Sequence, residues 1–400
     1  MRDLLPEEAA ARRSIARRIL DRFILCGYAL VTPPVFEFAE VLERGLGTLD
    51  PSDVLRFVEP ESGEVAALRP DMTPQIARMV ATRLRSRPAP FRLAYEGTVM
   101  RRRSGRARKH RQIPQVGVEL AGAVAPEGDI ELLELAGDAL RATGLQRFTL
   151  DVGDAGVVRS LLADMPAEHQ RVVSEALARK DAQELAQACA RVGALHARAI
   201  QALPALHGGR DVLVDGVARM EGSPAEAAAK RLLRLFDAAV ARGLGPHLTA
   251  DLGEVRGVAY YTGTIFHVYA PGTGDALGSG GRYDELLARF GWDLPAAGFA
   301  LDLDRMAEAL RAASVEEPLP VRVVVIGSPG DALDARIAEL RGRGLATTTA
   351  SDRAGALAWA RAWGFTHVLD GNDWVDAASG ASIAPPLPAL AVLAEKRGEK

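Results

Sequence analysis

The residue types best equipped for chemistry fall in a few short stretches. Arg256-Gly257-Val258-Ala259-Tyr260-Tyr261-Thr262-Gly263 sets a guanidinium beside two phenols. Gly278-Ser279-Gly280-Gly281-Arg282-Tyr283-Asp284-Glu285-Leu286-Leu287 follows, and the nearly apolar run from Pro295 ends by delivering one cation, Arg305. Alone, Arg305 reads as a surface or ion-paired residue. Together with Arg256 to Gly263 it suggests a pocket with cationic and aromatic walls. A further set of polar groups lies in Gln112 to Leu120, where Gln115, Gly117 and Glu119 alternate with Val116, Val118 and Leu120. One face of such a strand joins a core, and the other carries polar groups with no obvious structural need. Just before it, Arg101 to Arg111 is densely basic. That run is either a solvated hairpin tip or an anion site, because clustered guanidinium groups suit phosphate geometry.

Composition narrows the function classes. The chain has 400 residues, enough for two or three domains with a real core. With 49 basic and 52 acidic residues the formal charge is −3, which argues weakly against a nucleic-acid partner but leaves room for one basic face. Cys26 and Cys189 lie far apart, without metal or redox spacing, and fit a reducing cytosol. No apolar run reaches the roughly 20 residues that span a bilayer, and the charged start MRDLLPEE does not read as a signal peptide. A cytoplasmic chain with no membrane partner is expected. The histidines His169, His196, His207 and His247 are irregularly spaced, and no metal site is read from them.

The elements that must position these groups follow from periodicity. Pro6 to Cys26 reads as a helix with Ile15, Ile19, Leu20 and Phe23 inward and Gly27 as its stop. Gly27 to Phe36 reads as an edge or interface strand, since Pro33 and Pro34 cannot donate to a ladder. Leu55–Val58 and Val65–Arg69 form a hairpin, and a helix starts at Thr73-Pro74. Phe91 to Arg101 and Gln112 to Leu120 are strands flanking the basic run, Gly128 to Gly144 is an amphipathic helix, and Phe148 to Val152 a strand. Residues 155–247 are almost wholly helical in pattern, and strands resume at Leu248–Leu252 and Tyr260–Tyr269. The glycines before Arg282 are expected to allow tight turns and close approach of another group, with an amphipathic helix opening at Tyr283. Gly298 to Leu303 reads as a buried strand or strand-to-helix junction. After the linker Val315–Pro320, strands and helices alternate through residues 321–384 as a small α/β unit with a parallel sheet, and the tail past Pro385 is expected to fray. Gly327-Ser328-Pro329-Gly330 lacks the Lys-Ser/Thr of a phosphate loop.

These residues resemble, over essentially the whole chain, the class II aminoacyl-tRNA synthetase core, specifically that of histidyl-tRNA synthetase. Tyr28 to Pro34 resembles the first class II motif, whose proline lies at the dimer interface. Arg101 matches the second-motif arginine that holds the ATP α-phosphate, and Arg305 matches the third-motif arginine. Arg256 to Tyr261 and Gly280-Gly281-Arg282-Tyr283-Asp284 resemble the two histidine-specific signatures. The resemblance implies an α+β fold: an antiparallel sheet core in two parts, residues 1–154 and 248–314, with a helical insertion at 155–247 and a reduced anticodon-binding-like unit at 321–384. It also implies that Asp71, Thr73, Gln115, Glu119, Arg256, Tyr260 and Tyr261 contact free histidine, with Arg101 and Arg305 as candidate anion contacts. The residue chemistry agrees, since acids and an amide suit an α-ammonium and an imidazole N–H, and a cation suits a carboxylate.

The sequence also departs from the synthetase pattern. Arg103 stands where a glutamate reads the adenine amino group, and an arginine has only donors to offer. Ala259 replaces a signature aspartate, and Asp71-Met72-Thr73 replaces Glu-Gly-Thr. A retained amino-acid pocket without adenine reading resembles the regulatory subunits of ATP phosphoribosyltransferase, non-catalytic paralogues of histidyl-tRNA synthetase, and Leu68 to Arg78 is particularly similar to them. That resemblance implies a dimer within a hetero-octamer and a short-form catalytic subunit as partner. It also implies histidine as effector, no tRNA, and neither catalytic residues nor a cofactor. An active histidyl-tRNA synthetase is the alternative, and a stand-alone amino-acid ligase on the same fold is a third.

Overall fold

Proline at the first turn and Glu7 and Glu8 near its positive end start the first helix, α1 (Pro6–Leu25), which buries Ile15, Ala16, Ile19 and Phe23. The computed structural model describes residues 3–46, 54–101, 112–190, 194–255, 260–315 and 321–386. Most of the basic run, Arg102 to Arg111, lies outside them, as does the tail past Pro386. The chain divides into two compact units, Met1–Val315 and Glu316–Lys400.

In the first unit the elements after α1 are β1 (Ala29–Leu30), β2 (Phe36–Phe38), α2 (Ala39–Leu46), β3 (Arg56–Val58), β4 (Val65–Leu68), α3 (Thr73–Thr82), β5 (Phe91–Met100) and β6 (Gln112–Ala121). Next come α4 (Glu127–Ala142), β7 (Thr149–Asp154), α5 (Ala155–Leu162), α6 (Ala167–Arg179), α7 (Ala182–Cys189), α8 (Ala194–Ala202), β8 (His207–Gly208), α9 (Arg210–Arg219) and α10 (Glu226–Ala241). The unit closes with β9 (Leu248–Asp251), β10 (Thr264–Tyr269), β11 (Gly278–Arg282), β12 (Ala296–Asp302) and α11 (Leu303–Ala312). Among the described residues no helix is long and apolar enough to cross a membrane.

Among the described residues the main sheet has nine strands in the order β1-β5-β6-β12-β11-β10-β7-β9-β8. It is antiparallel from β5 through β7, as expected, but β1 joins β5 and β9 joins β7 in parallel, so the sheet is mixed. The hairpin of β3 and β4 forms as read and takes β2 into a small separate sheet. The alternation read in β6 decides the layers. Val116, Val118 and Leu120 face a core shared with Phe299 and Leu301 of β12, with α1, α4 and α11, and with apolar residues of the helices from α5 to α10. Burying one such Leu or Phe is worth about 1.5–3 kcal/mol. The other face packs on α3 and on Tyr95, Tyr260 and Tyr283.

Three local expectations are corrected. The glycines at 278–281 are not turns but the centre of β11, between β10 and β12. No α-helix opens at Tyr283. Its amide donates to Ala296 O at 2.7 Å and the Asp284 amide donates to Thr262 Oγ1 at 2.9 Å, so the chain is tied to its neighbours and forms only a short 3-10 turn, Leu287–Phe290. Likewise the strand read from Tyr260 begins at Thr264, because Gly263 O accepts from Ala155 N outside the ladder.

The second unit contains β13 (Arg322–Ile326), α12 (Asp331–Gly342), β14 (Ala346–Ala350), α13 (Arg353–Ala362), β15 (His367–Asp370), β16 (Asp373–Asp376) and β17 (Ser382–Ile383). The first three strands pair in parallel as expected, whereas β16 and β17 add antiparallel. Gly371 and Asn372, all that separates β15 from β16, make a hairpin; a parallel return needs a crossover of a dozen residues or more.

Candidate functional site

Strand register brings the polar groups together. Glu119 on β6 lies opposite Gly298 on β12, and Gly298 lies opposite Gly281 on β11. Residues directly opposite in an antiparallel pair share a face, so Glu119 looks along a row with no side chains. A Cβ at Gly298 would sit 2.1 Å from Glu119 Oε2 and 2.7 Å from the Tyr283 hydroxyl, and one at Gly281 would sit 3.0 Å from the Tyr261 ring. Two missing methyl groups therefore set the floor of the site. Its wall is aromatic: Tyr260 meets Tyr261 and Tyr283 edge-on, with ring centroids 5.3 and 5.4 Å apart.

The carboxylates are held from above by the turn into α3. Thr73 Oγ1 donates to Glu119 Oε1 at 2.6 Å, while Glu119 Oε2 and the Tyr283 hydroxyl, both buried, have no hydrogen-bond partner among the described residues. Burial pushes the Glu119 carboxyl well above the usual carboxylate range; a bond from Thr73 opposes this, the charge of Asp71 adds to it, and Tyr95 opposes it by a further bond. Asp71 Oδ1 accepts from the Thr73 amide at 3.0 Å and Oδ2 from the Tyr260 hydroxyl at 3.0 Å. Arg101 reaches the same carboxylate at 4.0 Å and donates through Nε to Pro70 O at 2.9 Å. Tyr260, buried and beside Asp71, is in turn held protonated well above the usual phenol value.

Of the residues singled out in the sequence, Asp71, Thr73, Glu119, Tyr260 and Tyr261 line one site. Gln115 stands on the same face of β6, half-buried, opposite Gly97 of β5 and Asp302 of β12. Arg305 is not brought to Asp71 or Glu119. It leaves the first turn of α11, whose N-terminus Asp302 caps, and its guanidinium is committed to Asp275 at 2.7 Å and Glu308 at 2.8 Å. Arg256, with Ala259, lies outside the described residues, as does Arg103. Sequence reasoning missed Tyr283 and Tyr95 as site residues, although Tyr283 belongs to a quoted signature; taking Gly278–Arg282 as a strand would have revealed it. Behind Tyr283, buried Arg282 pairs with Asp129 at 2.8 Å and Asp284 at 2.9 Å.

A buried acceptor without a donor, a second carboxylate, an amide and several phenols suit a small, polar molecule with N–H groups. The family model described as Histidyl-tRNA synthetase matches residues 1–306. A protein from Syntrophotalea carbinolica named ATP phosphoribosyltransferase regulatory subunit is 37% identical over 356 residues, covering 86% of this chain and 82% of that protein. One of the same name from Anaeromyxobacter dehalogenans is 43% identical over 314 residues, 78% of this chain and 90% of that protein. The crystal structure of an ATP phosphoribosyltransferase regulatory subunit/histidyl-tRNA synthetase from Bacillus halodurans superposes with a TM-score of 0.79 at 27% identity, covering 92% of this chain and 96% of that one.

Proposed function

This chain belongs to the family of ATP phosphoribosyltransferase regulatory subunits built on the histidyl-tRNA synthetase fold, and from that premise we propose that it is a non-catalytic subunit that activates a short-form ATP phosphoribosyltransferase and carries feedback by histidine. The observation that carries the histidine part is Glu119 Oε2, a buried acceptor beside the Tyr283 hydroxyl over the Gly298 floor. An imidazole N–H satisfies that acceptor, Asp71 and Gln115 suit the α-ammonium, and Arg256 suits the carboxylate. Arg101 and Arg305 are the candidate anion contacts, and Arg305 would have to leave Asp275 or Glu308 to serve. Regulation then requires that histidine bind two states of the assembly with different affinity.

The assembly proposed is a dimer of this chain within a hetero-octamer. Exposed Leu30 on the edge strand β1, and exposed Val35, Phe36 and Phe38 a few residues on, support an apolar contact there. A reaction-class test separates this reading from its alternative, a synthetase, which Arg101 beside Asp71 favours. The purified protein is assayed for histidine-dependent ATP/pyrophosphate exchange, and then for stimulation of a short-form phosphoribosyltransferase. No exchange with clear stimulation is expected. Robust exchange would make the chain a histidine-activating enzyme.

A further inference from the structure

One buried cation in this unit has no carboxylate partner among the described residues. Arg69, 4% exposed, follows β4 and precedes the Asp71–Thr73 turn that holds the site. Its Nη1 donates to Pro33 O at 2.8 Å and Pro34 O at 3.1 Å, and its Nε donates to Thr98 O on β5 at 2.9 Å. Its main chain is tied as well. Arg69 N donates to Val35 O at 3.2 Å, and Arg69 O accepts from Met100 N at 2.8 Å. Gln75, on the first turn of α3, adds a bond from Nε2 to Pro34 O at 2.9 Å. A guanidinium spreads donors over a fixed plane and can bridge several carbonyls at once, which an ammonium cannot. Space for it comes from Gly97, where a Cβ would sit 2.4 Å from Arg69 Nη2 and 2.4 Å from Met72 Cε.

We infer that Arg69 is a positioning residue for the pocket, clamping the Asp71–Thr73 turn between the Pro33–Pro34 carbonyls and the end of β5 so that Thr73 meets Glu119 and Asp71 meets Tyr260. The consequence for histidine rests on the reading of the site proposed above; the clamp itself does not. Proline at 33 and 34 suits this role, since both carbonyls point to Arg69 while neither residue has an amide to engage the strand ladder. Arg69 also ties the exposed Val35, through its own main-chain amide, to the segment that carries Asp71.

The test uses the full chain with Arg69→Lys, with Gly97→Ala, which keeps the arginine but crowds it, and with Val173→Ala on α6 as a remote core control. Hydrogen–deuterium exchange without ligand reads the Thr73 and Met100 amides, and calorimetric titration reads histidine. Arg69→Lys and Gly97→Ala are each expected to speed exchange at both amides at least tenfold and to weaken histidine at least tenfold, while Val173→Ala does neither. Unchanged exchange at Thr73 and Met100 in both variants, or the same change in Val173→Ala, overturns the clamp. Failure of the unsubstituted chain to bind histidine refutes the pocket reading, and the exchange data still decide the role of Arg69.

Discussion

Replacing Glu119 by glutamine should make the ligand-free protein more stable and the bound complex weaker, and both effects follow from where the carboxylate sits. Its folded-state titration lies above the unfolded value because burial disfavours the anion. The carboxyl therefore favours the folded state while it is protonated, fully so below its unfolded pKa of about 4.3, and that contribution is lost as pH rises through the higher folded value. Glutamine does not titrate, so the penalty disappears. Its amide keeps an oxygen for the Thr73 hydroxyl and presents N–H groups near the Tyr283 hydroxyl, the unpartnered oxygen on the other side of the Gly298 floor. An unsatisfied buried polar group costs about 1–3 kcal/mol, which puts the gain at roughly 2–6 °C in Tm for a unit of this size.

The same nitrogen faces a ligand N–H donor to donor. Losing a charge-assisted bond removes about 1.5–3 kcal/mol, a loss of roughly 10–150-fold in affinity before any repulsion. Thermal scans at pH 8 and pH 4.5, with histidine titrations at pH 8, measure both. Expected are a higher Tm for Glu119→Gln at pH 8, a gain that shrinks toward pH 4.5, and weaker binding. A variant less stable than its parent at pH 8, or one that binds histidine equally well, would refute the reasoning.

Three further outcomes are expected. Gly298→Ala drives a methyl group to within 2.1 Å of Glu119 Oε2 and 2.5 Å of Val118 O, so it should cost about 1–3 kcal/mol by thermal unfolding and abolish histidine binding by calorimetry. Arg282→Met leaves Asp129 buried with only the Thr264 hydroxyl as donor among the described residues, and urea unfolding should register a loss of about 3–5 kcal/mol. Gln115→Ala, at a half-buried position, should leave stability within about 0.5 kcal/mol while weakening histidine, and equal titration curves would move the ligand away from that end of the site.

Much of this was legible in the sequence because the signals were local. The period-2 alternation from Gln115 to Leu120 assigned the core face of β6 correctly, and Pro33-Pro34 marked an edge. The hairpin at Leu55 to Arg69 and the helix start at Thr73 depended on turn and proline chemistry that acts within a few residues. What stayed hidden depends on residues distant in the chain. Gly278 to Gly281 looks like turn chemistry until β10 and β12 are placed on either side, and only then do its bare positions become a floor. Tyr283 reads as a helix opening in sequence because nothing nearby shows that Ala296 O claims its amide. The pairing of Arg305 with Asp275 likewise joins residues thirty apart, which no spacing rule connects. The parallel reading of the C-terminal sheet failed at Gly371-Asn372, where a two-residue turn was present in the sequence but outweighed by the preceding α/β alternation.

With the side chains of Gly298 and Gly281 absent, Glu119 Oε2 and the Tyr283 hydroxyl are buried against the sheet without partners among the described residues, which would tie a bound ligand to the folding equilibrium. A solute that satisfies those buried groups, as proposed for histidine, would at a hundred times its Kd add about 2.7 kcal/mol to the native state. The fraction of chains open to proteolysis would then fall about a hundredfold between scarcity and plenty. Turnover of this protein in the cell, measured as a half-life with and without added histidine, becomes a gauge of amino-acid supply that works without any change in its activity.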